Sequence, residues 1–280
     1  MIRILTDGSS CLSPAAGRQK GVIVVPHLIN FSGQVYREWL DLDACAFIAR
    51  LSAGDEIPVS IPASAGDFVE AFRPLAESGE SLFCLAASSD ISQAFDNMKE
   101  AAGNFPGADI RIIDTRVTST LLTTLVLLAA EWAAAGQDVD TIERRARNMI
   151  PNGRIYFLVP TLSYLARGGR ISGAAALLGN ALQLKPILTL KDGRVDRHEM
   201  VHTFQHGFVK MQELVLACAT RDSENYVVVS HAGALAQAET LAGHLQDLLR
   251  LSHIPVYDIA PSIVCNTGSG TLGVSFYIAP

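Results

Sequence analysis

The chain has 280 residues, 49% of them hydrophobic and 18% charged, and a net charge of −6 from 22 Lys+Arg and 28 Asp+Glu. That is ample apolar material for one large core or two smaller ones, and with no Lys/Arg-rich run it lacks the footprint of a nucleic-acid-binding protein. No apolar run reaches the roughly 18–20 residues of a membrane span, so no stable membrane insertion is expected; the nearest, Leu121–Ala135, is broken by Thr123, Thr124 and Glu131 and reads as a buried helix.

The first residues run straight into an apolar stretch, with no basic segment ahead of a long apolar one, so no signal peptide is expected. The five cysteines, Cys11, Cys45, Cys84, Cys218 and Cys265, are odd in number and lack C-x-x-C spacing. They read as reduced thiols, and the expected location is the cytoplasm.

In chain order, Ile2–Thr6 and Val22–Val25 read as strands, the second ending at Pro26. Leu42–Leu51 has helical periodicity behind a possible Asp41 cap, and residues 60–64 read as a turn. Ser64-x-x-Asp67 is a capping box that opens a helix to about Ser78. Leu82–Ala87 is a strand, and Ser92 falls where the next helix begins. Ile110–Ile113 is a strand, Thr118–Ala135 a helix closed by Gly136, and Thr141–Met149 another helix. Strands alternating with helices of ~10–15 residues predict crossover units and a largely parallel sheet.

Beyond about residue 153 the pattern changes. Arg154–Val159 is a strand, and Leu184–Leu190 with Val195–Val201 reads as a hairpin turning at Asp192-Gly193. A helix over Thr203–Cys218, a strand over Val227–Ser230, a helix over Leu235–Leu249 and strands over Val256–Ile259 and Val274–Ile278 follow. The hairpin predicts a mixed sheet here. The expected division is an N-terminal α/β domain, 1–153, and a C-terminal α/β domain, 154–280.

Four places combine hydroxyls or glycines with a strand end or helix start: Thr6–Ser10, Ser60, Ser88–Ser92 and Asn266–Gly270. Carboxyl ends of parallel strands form ligand crevices, and hydroxyls with free N–H groups there suit a carboxylate or phosphate. Each is equally explained as a helix cap or turn. Arg167-Gly168-Gly169-Arg170 is either a loop with solvated arginines or a turn that brings a guanidinium over an anion. His198, His202 and His206 have a tempting spacing, but the hairpin puts His198 on a strand and the helix starts near Thr203, so no metal is expected. No nucleophile elbow, phosphate loop or dinucleotide fingerprint is present. Asp7, Asp90 and Asp114 at strand ends leave a small-molecule phosphotransferase, or another enzyme using the same loops, as the alternative.

Taken in order, these residues resemble the DegV family of fatty-acid-binding proteins. The likeness runs nearly end to end: Thr6-Asp7 with Ser9-Ser10, Val25-Pro26, Tyr36-Arg37-Glu38, Pro58-Val59-Ser60, Ser88–Ser92, Ile113-Asp114-Thr115, the Arg167–Ile171 block, Lys185-Pro186-Ile187 and Gly268-Ser269-Gly270. The resemblance implies a two-domain DegV-like α/β fold, with a mostly parallel N-terminal sheet flanked by helices and a C-terminal mixed sheet with helices. It implies a long-chain fatty acid between the domains, its carboxylate held by Ser60 and Ser92, with Ser9, Ile61, Gln93, Arg170, Asn266 and Gly268 as further candidate pocket residues. No residue is implied to be catalytic, and no cofactor beyond the bound fatty acid.

Some family members are binding subunits of a fatty acid kinase, presenting the carboxyl group to a separate ATP-using subunit, so such a partner is implied too. The chain departs from the family at four points. Ser60 stands for the usual threonine, Gln93 for a small glycine, His202 for an arginine, and Asn266 for a histidine that, unlike Asn, titrates near neutral pH. Burying an acyl chain of ~14 methylenes would contribute on the order of 10 kcal/mol before ordering costs. The tail would then set affinity and the head group orientation.

Overall fold

The computed structural model describes residues 1–54, 57–171, 173–174, 185–219 and 226–278. The first half builds a parallel sheet from β1 (Ile2–Asp7), β2 (Val22–Val25), β6 (Ser81–Ala86) and β7 (Ile110–Asp114), in the order β2-β1-β6-β7. Helices α1 (Pro14–Gln19), α3 (Ala65–Glu77), α4 (Ala94–Ala102), α5 (Ser119–Ala134) and α6 (Val139–Met149) connect or cover it. The strand order reverses between β1 and β6, and a ligand crevice in such a sheet lies outside the carboxyl ends at that reversal.

The second half builds a six-stranded mixed sheet, β10-β9-β8-β13-β11-β12. Its strands are β8 (Gly153–Leu158), β9 (Lys185–Lys191), β10 (Arg194–Val201), β11 (Val228–His231), β12 (Val256–Asp258) and β13 (Leu272–Tyr277). The β11–β12 pair is parallel, and the other pairs are antiparallel. Helices α7 (Ser163–Arg167), α8 (Phe204–Cys218), α9 (Leu235–Leu249) and α10 (Pro261–Thr267) complete this half. The predicted hairpin is present: Asp192 and Gly193 both adopt positive φ, 49° and 79°, as a tight two-residue turn requires. The proposed first residue of its leading strand, Leu184, lies outside the described residues.

Helix α5 explains the most apolar stretch of the sequence. Leu121, Leu122 and Leu125 pack in one core with Ile4, Phe83 and Ile113 of the parallel sheet and with Ile155, Phe157 and Leu188 of the mixed sheet. A helix clad on nearly every side must be apolar all round, and each fully buried leucine contributes about 1.5–3 kcal/mol. Its polar residues bond internally: Thr124 Oγ1 donates to Thr120 O at 2.9 Å, and Thr120 Oγ1 pairs with Ser275 Oγ of β13 at 2.7 Å. No helix among the described residues is long and apolar enough to cross a membrane.

Three expectations are corrected. A third sheet was not foreseen: β3 (Leu28–Phe31), β4 (Gln34–Arg37) and β5 (Val59–Ile61), antiparallel in the order β4-β3-β5. Ser60 therefore stands on a strand opposite Ile29, not in a turn before a helix. Helix α2 (Ala44–Ala53) is capped by Asp43, whose Oδ1 accepts from Ala46 N–H at 2.8 Å, whereas Asp41 pairs with Arg37 at 2.7 Å. Asn266, expected at the approach to the last strand, lies in α10. The capping box is as expected: Ser64 Oγ accepts from Asp67 N–H at 3.2 Å, and Asp67 Oδ2 accepts from Ser64 N–H at 2.7 Å.

Candidate functional site

A cavity lies at the carboxyl ends of β1 and β6 and extends over the face of the mixed sheet; its empty space, the open mouth included, is about 850 Å³. Its walls differ in chemistry. Strand ends, β5 and α10 contribute Ser9, Ser60, Ser92, Ser262 and Asn266, while Ile155, Phe157, Leu165, Leu190 and Val195 make an aliphatic and aromatic side. Ile155 and Phe157 are two apart on β8, so they share a face of the sheet, and Leu190 pairs with Val195 across the hairpin.

At one end, Ser60 Oγ accepts from Asn266 Nδ2 at 3.3 Å, and Ser92 Oγ accepts from Ala94 N–H at 3.2 Å. Among the described residues neither serine O–H donates to another group, so both hydroxyl hydrogens are available toward the cavity. Asn266 is held by its own helix, since Nδ2 also donates to Ser262 O at 3.1 Å. It sits so close to the α7 end that a Cβ on Gly168 would lie 2.0 Å from its Oδ1, which is why a glycine follows Arg167 there. Arg170 also lines this end. Its Nε donates to Ile91 O at 3.2 Å and its Nη1 to Gly168 O, and it has no carboxylate partner among the described residues. The result is two free O–H donors, an amide and an uncompensated guanidinium, an arrangement suited to an anion.

The remaining candidates fall elsewhere. Ile61 alternates away from Ser60 on β5 and is 37% exposed, and Gln93 is exposed at the start of α4; neither lines the cavity. Gly268 terminates α10 with a φ of 82° against the Tyr164 ring. His198 is on β10, with its ring 4.8 Å from that of Tyr156, and His206 is on α8; among the described residues no group of three potential ligands comes together.

Residues that sequence reasoning missed are His27, Pro62, Ser119 and Ser262. His27 lies just beyond the carboxyl end of β2, where a crevice was expected, and the Val25-Pro26 strand stop was the usable signal. It joins a buried trio. Asp7 caps the turn after β1: its Oδ1 accepts from Ser9 N–H and its Oδ2 from Ala87 N–H, both at 2.8 Å. His27 Nε2 lies 3.2 Å from Asp7 Oδ1 and 3.0 Å from Ser9 Oγ, and Ala63 N–H donates to Nδ1 at 3.0 Å. Burial would raise the Asp7 carboxyl, but the His27 hydrogen bond and the two N–H donors outweigh it and hold it below the usual range. For His27, burial opposes charging the ring, while Asp7 and Glu38 lift its pKa. A second proton would have to sit on Nδ1, facing the Ala63 N–H, so in this arrangement the ring is neutral with its hydrogen on Nε2.

That tautomer decides what the trio can do. A nucleophilic triad places the carboxylate on one ring nitrogen and the hydroxyl on the other. Here both meet Nε2, which already carries the proton, so His27 cannot take one from Ser9. Asp90 and Asp114 are likewise engaged. Arg194 and Arg116 hold Asp90 below the usual carboxylate range, through a 2.7 Å bond to Arg194 and a bond to Arg116. Asp114 lies 3.2 Å from Arg116 Nη1.

Fold and cavity together define an α/β protein of two main sheets with a predominantly apolar, hydroxyl-tipped pocket between them. The model of the DegV family, described as uncharacterised proteins, matches residues 1–279. A DegV domain-containing protein of Deinococcus radiodurans is 31% identical over 98% of this chain and 97% of its own length. One of Halalkalibacterium halodurans is 30% identical over 99% and 98%. The chain belongs to the DegV family. Among solved structures, a DegV protein from Thermus thermophilus described by its fatty acid binding superposes with a TM-score of 0.90 at 28% identity, covering 99% of each chain. DegV of Bacillus subtilis shares the fold, with a TM-score of 0.88 at 24% identity over 99% of each chain.

Proposed function

We propose that this chain binds one long-chain fatty acid in the cavity, its carboxylate at Ser60 and Ser92 and its acyl chain along the mixed sheet. The observation that carries the reading is the cavity's polarity: unengaged hydroxyl donors and Arg170 at one end, and Ile155, Phe157, Leu190 and Val195 along the rest. Neutral hydroxyls orient a carboxylate, and apolar burial at roughly 0.8 kcal/mol per CH₂ supplies the affinity. The fatty acid binding of the Thermus thermophilus relative supports it. In this reading residues 1–153 and 154–280 act as two domains that meet at the ligand.

The protein is a carrier in this reading, and it works in the cytoplasm. The tautomer of His27 removes the base that Ser9 would need as a nucleophile, and burial pushes the Cys11 thiol up to about 11, away from a reactive thiolate. Any phosphorylation of the ligand then belongs to a separate ATP-using subunit, as in the fatty acid kinases of some relatives, with this chain supplying orientation of the carboxylate.

Protein denatured in organic solvent should release a fatty acid of roughly 14–18 carbons at one equivalent, read by mass spectrometry. Absence of lipid, with no thermal stabilisation by added palmitate or oleate, overturns the proposal. Acyl-phosphate formed from fatty acid, ATP and magnesium by this chain alone, trapped as a hydroxamate, overturns the carrier assignment.

A further inference from the structure

Ser60 and Ser92 do not account for all the polar lining of the cavity. Ser262 faces the same space one turn of α10 before Asn266, about 6 Å along the helix axis. It is 4% exposed, and its Oγ has no hydrogen-bond partner among the described residues. Its surroundings are otherwise satisfied. Its own N–H donates to Glu38 Oε2 at 3.1 Å, and its carbonyl accepts from Asn266. Ser9 Oγ pairs with His27, and Ser119 Oγ with Cys11 Sγ at 3.4 Å. A helical hydroxyl ordinarily turns back to the carbonyl four residues earlier, as Thr267 does to Ile263 at 3.3 Å. Ser262 is too near the start of α10 to have such a carbonyl in its helix.

A buried hydroxyl without a partner is destabilising, and facing a ligand pocket it is a recognition group in waiting. We propose that the preferred ligand is an oxygenated acid: a long-chain fatty acid with a hydroxyl in its first few carbons, as in a 3-hydroxy fatty acid, whose hydroxyl meets Ser262 Oγ. This rests on the carboxylate lying at Ser60 and Ser92. The separation of about one helical turn between Asn266 and Ser262 puts the second polar contact near the head of the chain. The electrostatics select a neutral group. The buried carboxylates of Asp7 and Glu38 lie behind Ser9, His27 and Ser262 and repel a second anion. A hydroxyl both donates and accepts, and so complements a serine in either orientation.

The test is a competition. The purified protein is incubated with an equimolar mixture of hexadecanoic and 3-hydroxyhexadecanoic acids and repurified, and the bound lipid is extracted and quantified. Wild type should retain about five-fold more of the hydroxy acid, as one added hydrogen bond implies. Ser262→Ala should bring the ratio to near one, and Ser262→Thr, which keeps the hydroxyl, should preserve the preference. A wild-type ratio of one or below overturns the inference, even if Ser262→Ala fails to fold. So does a preference that survives in Ser262→Ala, which would mean that Ser262 is met by water. Lipid of both kinds in equal amounts leaves the fatty acid reading standing and removes only this one, whereas retention of neither acid removes both.

Discussion

The two main sheets meet the cavity in different ways. The parallel sheet reaches it through the carboxyl ends of its strands, where the chain turns into loops and helix starts. Those ends bring Ser9, His27 and Ser92. The mixed sheet reaches it broadside: Phe157, Gly273 and Ser230 are paired in one row across β8, β13 and β11. A strand end offers unpaired backbone groups and polar side chains that must be satisfied, and a sheet face offers an alternating set of side chains already packed by their neighbours. One half of the molecule therefore supplies direction and the other supplies length.

Substitutions at both sides probe that division, in descending size of effect. Asp7→Ala strikes the strand-end side at its root, leaving Ser9 N–H, Ala87 N–H and His27 without their acceptor. Each buried donor left unsatisfied costs about 1–3 kcal/mol, read from urea unfolding. The pH dependence follows from the lowered carboxyl pKa. The stability Asp7 contributes is present above the ordinary carboxylate range and is lost as pH falls through its depressed folded value. If Asp7→Ala unfolds with the wild-type midpoint, the trio does not hold the strand ends.

Next, Ser60→Ala and Ser92→Ala should each weaken fatty acid binding by about 1.5–3 kcal/mol, the worth of a hydrogen bond to a charged group. The loss should be the same for a 12-carbon and an 18-carbon acid, because only the head is touched. Gly273→Val should do the opposite. A Cβ there meets Ser230 Oγ at 2.9 Å and Phe157 Cβ at 3.5 Å, so the larger side chain pushes into the cavity. Short acids should bind nearly as before and long ones progressively worse, by about 0.8 kcal/mol per displaced CH₂. Equal losses at all lengths in both variants would erase the distinction between head end and tail wall. Isothermal titration across a series of chain lengths measures both.

The sequence showed the two main sheets better than the short elements that bring Ser60 and Asn266 to the cavity. The parallel sheet, the hairpin and α5 were legible because each has a long, regular signature: β-branched runs, an Asp-Gly turn, a clad apolar helix. The third sheet was not, although Leu28–Phe31 and Gln34–Arg37 flank Ser32-Gly33, a two-residue turn with φ of 47° and 91°. Strands of three or four residues with mixed polarity lack the alternation that identifies a strand. Helix α10 is a similar case. Pro261 begins it and Gly268 follows it at positive φ, the expected start and stop, but Ile263, Val264, Asn266 and Thr267 are weak helix formers and read as a loop. Ser60 and Asn266 were singled out as polar positions, while their mutual contact needed β5 and α10, the two elements missed. His27 and Ser262 carried no motif, because their roles come from burial beside residues distant in sequence.

The smallest effect concerns how the two regions are fastened together. At the hairpin turn, Arg194 bonds Asp90 at 2.7 Å, Arg116 bonds Asp90 and the Asp192 carbonyl, and Ser88 Oγ donates to Gly193 O at 2.7 Å. Leu190 and Val195 flank this turn and Ile91 follows Asp90, and all three line the cavity. Parting the turn from the Ser88–Asp90 loop would therefore open a wall between the polar and apolar sides, and the clamp should slow exchange of the ligand. Its ion pairs are exposed and screened by salt, so Arg194→Gln should speed lipid release by less than about five-fold. The gap between variant and wild type should shrink at high salt. It should also shrink as pH falls through the lowered folded pKa of Asp90, since protonation removes the same attraction in both proteins. Displacement of a bound fluorescent fatty acid, followed at low and high salt, measures this. Release rates that are equal at low salt would show that the ligand leaves by another route and that the hairpin contact only joins the two halves.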